Sequence, residues 1–409
     1  MSGPIPVEEA LRRVLASAEA PLGEERVPLE EAFGRVLARD LVALRTQPPF
    51  ANSAMDGYAV RAVDAAAPAA TLRVVGEAAA GRAFAGRVGA GEAVRIFTGA
   101  PAPAGADAIV VQEEVRRDGD RVTLGRPARI GDNLRTEGLD FREGERLLGA
   151  GRRLGPRDIA LAAAANHAAL FVRRCARVAI LATGDELVAP GEPLGPSQIV
   201  ASNNFTVAGI VEACGGVPID LGIARDSMAA LDEAIRAALA AKPDVLVTLG
   251  GASVGDHDLV QKALAAAGME LGFWKIAMRP GKPLMHGRLG DLRVLGLPGN
   301  PTSSTVCAVL FLRPLMRALH GEPDPGADPT RPARLAVDLK ANGPRQDYQR
   351  CALSRDADGR LMATPLALQD SSLVKVMAYA DGLIVRPPDA APAKAGDACR
   401  VLAFDELGV

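Results

Sequence analysis

The chain has 409 residues, of which 48% are hydrophobic and 23% charged, with 47 basic against 49 acidic side chains. That length suggests two to four domains, and the hydrophobic share is enough to build a buried core. The near balance of charge and the 3% aromatic content argue against a nucleic-acid partner, which calls for a basic excess and stacking rings.

Glu8 and Glu9 precede any apolar run, so the start of the chain does not read as a signal peptide. Val7, Leu11, Val14, Leu15 and Ala18 share one face at helical spacing, which predicts a helix over Val7–Ala18. A second helix is expected over Leu29–Ala38, with Phe33, Val36 and Leu37 turned inward. Pro48 and Pro49 then break the pattern, because tandem prolines cannot continue a helix. Short strands are expected over Leu72–Val75, Ala93–Phe97, Ala108–Val115 and Arg121–Leu124. The Asp118-Gly119-Asp120 turn joins the last two. Residues 46–140 thus read as an inserted β-rich lobe between helical segments at 1–45 and 141–176. The second of those segments holds a helix over Pro156–Ala165, with Pro156 suited to its first position.

From Arg177 strands and helices alternate. Strands are expected at Val178–Leu181, near Val217–Leu221 and from Asp244 to Gly251, with helices near Phe205–Cys214 and Met228–Ala241. This spacing indicates an α/β domain over 177–322, built on a parallel sheet with right-handed crossovers. Ligands on such sheets bind beyond the carboxyl ends of the strands. Glu322–Pro329 has the composition of a linker. The segment 323–409, with short alternating runs and an Asp358-Gly359 turn, reads as a small β-barrel or sandwich.

Five scattered cysteines form no CxxC pair, so neither a disulfide framework nor a zinc site is expected, and the setting reads as a reducing cytoplasm. The longest apolar stretch, Ile159–Val172, is too short to span a bilayer and is broken by Asn166 and His167. No membrane role is expected. The four histidines are scattered and suggest no histidine metal site.

Four segments around the α/β domain carry chemistry. In Thr183-Gly-Asp-Glu-Leu, Glu186 either holds a hard cation or caps the next helix. In Leu249-Gly-Gly-Ala-Ser-Val-Gly-Asp-His-Asp, Gly250 and Gly251 let backbone N–H groups approach phosphate, and Asp256 and Asp258 suit a bridging metal. The same segment spells Gly251-x-Ser253-x-Gly255, the pattern of a serine-hydrolase nucleophile elbow, with His286 and His320 downstream. No His-Gly-Gly oxyanion run precedes it, so the hydrolase is the weaker reading. In Phe273–Pro283, Lys275, Arg279 and Lys282 gather around a Pro–Gly turn that is not a P-loop, because Pro283 stands where Ser or Thr would hold magnesium. An anion site is preferred there over a solvated basic face. Finally, Leu297-Pro-Gly-Asn-Pro runs into a Ser-rich helix start, where Ser303 or Ser304 is a cap, an anion ligand, or both.

In order along the chain, Asn52-Ser-Ala-Met-Asp-Gly-Tyr-Ala, Phe97-Thr-Gly-Ala, Thr183-Gly-Asp-Glu-Leu, Gly250-Gly-Ala-Ser-Val-Gly, Arg279-Pro-Gly-Lys-Pro and Leu297-Pro-Gly-Asn-Pro resemble the molybdopterin molybdenumtransferase family, the bacterial MoeA type and the C-terminal domain of gephyrin. The resemblance covers essentially the whole chain. It implies a four-part homodimer: a helical linking part, a β-lobe, an α/β pterin-binding domain and a C-terminal β-barrel. It implies a cytoplasmic transferase that converts adenylyl-molybdopterin and molybdate, with magnesium, into molybdenum cofactor and AMP. A molybdopterin adenylyltransferase is then the implied partner that delivers the substrate.

By position, the resemblance places Asp56, Thr98, Arg135, Asp140, Glu186, Asp226 and Asp258 in the active cleft, with Glu186 and Asp258 on magnesium. Lys275, Arg279, Pro298 and Pro301 fall around the pterin, with Gly250, Gly251, Ser253 and Asn300 in the same binding loops. Lys282, Ser303, Arg350 and Ser371 are implied to meet the molybdate oxyanion. Two departures stand out. Arg279 occupies a position where relatives commonly carry lysine, which alters donor geometry, and Leu373 replaces a frequent arginine. A non-catalytic pterin carrier or scaffold of the gephyrin kind is the rival reading, but nothing here resembles gephyrin's long linker.

Overall fold

The computed structural model describes residues 3–251 and 259–408. Near the N-terminus, Val7–Ala16 is an amphipathic helix that buries Val7, Ala10 and Val14. The helix expected over Leu29–Ala38 does not form. Only Leu29–Glu31 makes a 3-10 turn, and Gly34 follows in the left-handed region at φ +74°, which a right-handed helix cannot accommodate. Val36 and Leu37 instead bridge Arg153 and Val172 in extended form, and Phe33 is left 63% exposed. The apolar run around His167 also divides, into the helix Pro156–Ala164 and the strand Ala169–Arg173. That strand pairs antiparallel with Glu24–Pro28 and ties the two flanks of the lobe together.

The lobe is a six-stranded sheet in the order Ala108–Val111, Gly57–Val60, Glu92–Ile96, Thr71–Ala78, Arg121–Leu124, Val115–Asp118. The strand expected over Ala108–Val115 is split by a 3-10 turn at Gln112–Glu114.

The central sheet runs Val217–Ala224, Arg177–Thr183, Val245–Leu249, Leu292–Leu297, Met285–Leu289, Glu270–Trp274. The first four strands are mutually parallel, as the alternating pattern predicts, and the last two add an antiparallel extension. The strands read as continuous apolar runs because both faces are covered. Val178, Ile180, Val247 and Leu295 pack with Val207, Ile210 and Phe311, while Ala179, Leu181, Leu246 and Val294 pack with Leu231, Ile235 and Leu264.

The helix after Leu292–Leu297 starts at Pro301, directly after the Pro-Gly-Asn turn. It runs through Pro301–Cys307, a π-helical turn at Ala308–Leu312, and Arg313–Leu319. Pro314 has no N–H to continue the ladder, and the wider turn lies just ahead of it. In the C-terminal part, Gln346–Arg355 pairs with both Leu361–Pro365 and Gly382–Arg386, and the circuit closes through Arg331–Leu335 and Ala398–Ala403. Of the two architectures expected there, it is a closed five-strand barrel. No helix among the described residues is long and apolar enough to cross a membrane.

Candidate active site

The chain leaves Arg177–Thr183 toward one side of the central sheet and Val245–Leu249 toward the other, which opens a crevice at their carboxyl ends. A cavity of about 890 Å³ lies there. Its floor is backbone. Gly250 and Gly251 adopt φ +95° and +61°, and a Cβ on Gly250 would stand 2.7 Å from the Thr183 carbonyl. A Cβ on Gly251 would overlap Val260. Glycine is therefore required for these turns to converge.

Two helix starts open onto the cavity. Ser202, Asn203 and Asn204 line it at the start of Asn203–Ala213, and Asn300 and Pro301 line it at the start of Pro301–Cys307. The positive end of the helix dipole favours an anion at such positions. The two starts are cross-linked, because Asn203 Nδ2 donates to the Gly299 carbonyl at 2.6 Å. Asn300 does not cap its own helix. Its Nδ2 donates to Ser371 Oγ at 3.0 Å, and Thr302 N donates to the Ser371 carbonyl at 3.0 Å, which binds the barrel to the cleft.

The predicted site residues divide into groups. Glu186, Asp226, Gly250, Gly251, Pro298, Asn300 and Pro301 all line the cavity. Asp185, next to Glu186 in the chain, is engaged structurally: its Oδ1 accepts from Asp226 N at 3.2 Å and its carbonyl from Arg225 at 2.8 Å. Lys275, Arg279 and Lys282 lie on the loop that ends at Pro283, the residue of that loop in the cavity wall. Lys275 rests over the Trp274 ring, and Arg279 Nε stands 3.3 Å from the buried Asp347.

Arg350 is only 2% exposed. Its guanidinium donates to Thr302 Oγ1 at 2.9 Å and to the Asp370 and Leu368 carbonyls at 2.8 and 3.4 Å, so it pins the barrel loop to the helix start. Ser303 is buried in the first turn of that helix, and Ser371 is occupied by Asn300. Ser253 and Asp258 lie outside the described residues.

Asp56, Thr98, Arg135 and Asp140 do not line this cavity; they belong to the lobe. Asp56 Oδ1 accepts from both the N–H and the hydroxyl of Thr98 at 2.8 Å, and these bonds hold its carboxyl below the usual carboxylate range. Leu134–Arg135 pairs with Asn52–Ser53 on the same edge.

Sequence reading missed Ser202, Asn203 and Asn204, although a Ser-Asn-Asn run before an apolar helix is a start signal. Ile199 and Val200, on the strand paired with Leu187–Val188, also escaped it. The histidines needed by the hydrolase reading are engaged elsewhere. His286 Nδ1 meets the Val294 carbonyl at 3.1 Å, Ala176 N donates to His320 Nε2 at 3.1 Å, and neither ring lines the cavity.

Comparison with known families assigns most of the chain. A model of the MoeA N-terminal region (domain I and II) matches residues 5–166, one of a probable molybdopterin binding domain matches 179–318, and one of the MoeA C-terminal region (domain IV) matches 332–404. A molybdopterin molybdenumtransferase of Haemophilus influenzae is 34% identical over 402 residues, covering 98% of this chain and 99% of the relative. One from Bacillus subtilis is 35% identical over 416 residues, covering 98% and 95%. A solved MoeA structure from Pyrococcus horikoshii superposes with a TM-score of 0.83 at 27% identity, covering 98% of this chain and 99% of that one.

Proposed function

The chain belongs to the molybdopterin molybdenumtransferase family, and from that premise we propose that it inserts molybdate into adenylyl-molybdopterin, forming molybdenum cofactor and releasing AMP. The observation that carries this reading is the glycine-floored cavity at the sheet's switch point, lined by two helix starts and by the carboxylates Glu186 and Asp226. The floor and helix starts suit phosphate oxygens. The apolar side chains of Leu187, Ile199, Val200 and Val374 suit the flat faces of a heterocycle.

Magnesium fits the donor set. Glu186 and Asp226 both line the cavity with hard oxygen donors, and neither side chain is held in an ion pair among the described residues. The family resemblance pairs Glu186 with Asp258 on magnesium, and Asp226 is a further carboxylate in the cavity wall. Magnesium held there would neutralise charge on the pyrophosphate. Lys275, Arg279 and Lys282 lie on the loop that reaches the cavity wall at Pro283 and would supply positive charge, the first two for the phosphate and Lys282 for the molybdate oxyanion. Ser303 and Ser371 stand at the same helix start. Arg350 serves them by fixing Thr302 rather than by reaching out from the cleft.

Asp56, Thr98, Arg135 and Asp140 enter the reading through a homodimer, in which the lobe of one subunit covers the cleft of its partner. Exposed apolar residues support this: Phe50 and Met55 beside Asp56 are 43% and 45% exposed, and Ile199 and Val374 at the cleft 58% and 50%. All five cysteines are free thiols, which suits a cytoplasmic enzyme. A molybdopterin adenylyltransferase would supply the substrate. Incubating the chain with adenylylated pterin, magnesium and molybdate, and weighing the product by mass spectrometry, tests the proposal. The expected product carries molybdenum; recovery of unchanged pterin would refute it.

A further inference from the structure

Arg95 lies in the strand Glu92–Ile96, directly across from Tyr58 and two residues before Phe97. Its guanidinium carbon stands 5.1 Å from the Tyr58 ring centre and 4.8 Å from that of Phe97. Cation–π contacts of this kind are made more often by arginine than by lysine. From this seat Nη1 donates to the Gly57 carbonyl at 3.1 Å and Nη2 to Gln112 Oε1 at 2.5 Å. Gln112 returns its own N–H to the Asp56 carbonyl at 3.0 Å. One guanidinium thus holds the residue that follows Asp56 and the side chain of the residue that binds the Asp56 backbone.

We propose that Arg95 is a positioning residue for Asp56: it fixes the turn so that Thr98 grips Oδ1 while Oδ2 faces outward. The inference rests on Asp56 being part of the reaction site. Only Oδ1 has hydrogen-bond partners among the described residues. A purely structural arginine on a sheet face would not need to reach both flanks of a single carboxylate. The positive charge of Arg95 also acts in the same direction as the Thr98 bonds, keeping Asp56 ionised. Charged groups near this turn also include Glu77, across the sheet from Arg95 and ion-paired with Arg82, Glu113, which accepts from Gln112 Nε2 at 3.1 Å, and Arg135, on the strand paired with Asn52.

The test uses the full chain with Arg95→Met, Arg95→Lys, Asp56→Asn and the double variant Arg95→Met with Asp56→Asn. AMP release gives kcat and KM. Titration of carboxyl-labelled aspartates, assigned by difference against Asp56→Asn, reads Asp56 directly. Arg95→Met should lower kcat about tenfold with KM unchanged, the scale of a misplaced group, and raise the Asp56 titration midpoint. It should add no loss on top of Asp56→Asn, because coupled residues are not additive. Arg95→Lys, which keeps the charge without the fork, should restore the midpoint more than kcat, and it keeps the test open if the methionine variant fails to fold. Additive losses in the double variant, or an Asp56 midpoint that does not move, would overturn the proposal. Full AMP release by Asp56→Asn would instead remove Asp56 from the reaction, and the titration separates that failure from this one.

Discussion

Asn203 and Gly299 are joined by a 2.6 Å hydrogen bond from the side-chain amide to the backbone carbonyl, and this bond ties two helix starts into one cavity wall. Among the described residues the Asn203 amide oxygen has no hydrogen-bond partner. Asn203→Ala should raise KM for the pterin substrate about tenfold while lowering stability by about 1 kcal/mol, the scale of one hydrogen bond. Kinetics together with urea unfolding check this. A stability loss with KM unchanged would mean that the bond only braces the fold.

Glu186 lines the cavity and its side chain makes no ion pair among the described residues. Glu186→Ala should therefore abolish magnesium-dependent AMP release and leave unfolding within about 0.5 kcal/mol of the parent. A folded variant that releases AMP normally would remove Glu186 from the metal set.

Asp56 sits on the lobe and Glu186 in the α/β cleft, and only the second lines the cavity. In a dimer with shared sites, Asp56→Ala and Glu186→Ala chains should each be inactive alone. Refolded together at random, about a quarter of all sites should regain activity, because half the dimers are mixed and each has one intact site. Mixed dimers confirmed by mass, yet no more active than either parent, would place both carboxylates in the cleft of one subunit.

His320 is 3% exposed and accepts from Ala176 N, and burial pushes its pKa down from 6.5 to about 4. The unfolded chain therefore binds a proton between those values that the folded chain refuses, and stability falls as pH drops through that window. The shift corresponds to roughly 3 kcal/mol. His320→Gln keeps an acceptor for Ala176 and removes the titration, so the stability difference between pH 7.5 and pH 5 should shrink. An unchanged difference would assign the pH dependence to other groups, such as the buried His286, whose pKa is also lowered by burial.

The parts of this fold legible in the sequence are those fixed by local pattern. Apolar runs such as Val245–Leu249 and the Asp118-Gly119-Asp120 turn carry their own periodicity or backbone preference. Leu29–Ala38 misled because its helical spacing survives while Gly34, which takes a left-handed conformation, interrupts it. Glu24–Pro28 was invisible because its partner, Ala169–Arg173, lies more than a hundred residues away and only pairing makes it a strand. The candidate site follows the same division. Glycines and carboxylates at strand ends announce themselves, whereas Ile199 and Val200 enter the cavity wall only through tertiary placement. Arg350 shows the converse: residue type alone points to an oxyanion, but its observed partners are Thr302 and two backbone carbonyls.

The most direct measurement of the central claim is AMP release from adenylylated pterin by the purified chain, with molybdate as the variable. In the presence of magnesium, AMP should appear in proportion to added molybdate, and chelating the divalent ion should stop it. No AMP at any molybdate concentration, from a folded chain that still binds the pterin, would contradict transfer and leave a carrier in its place.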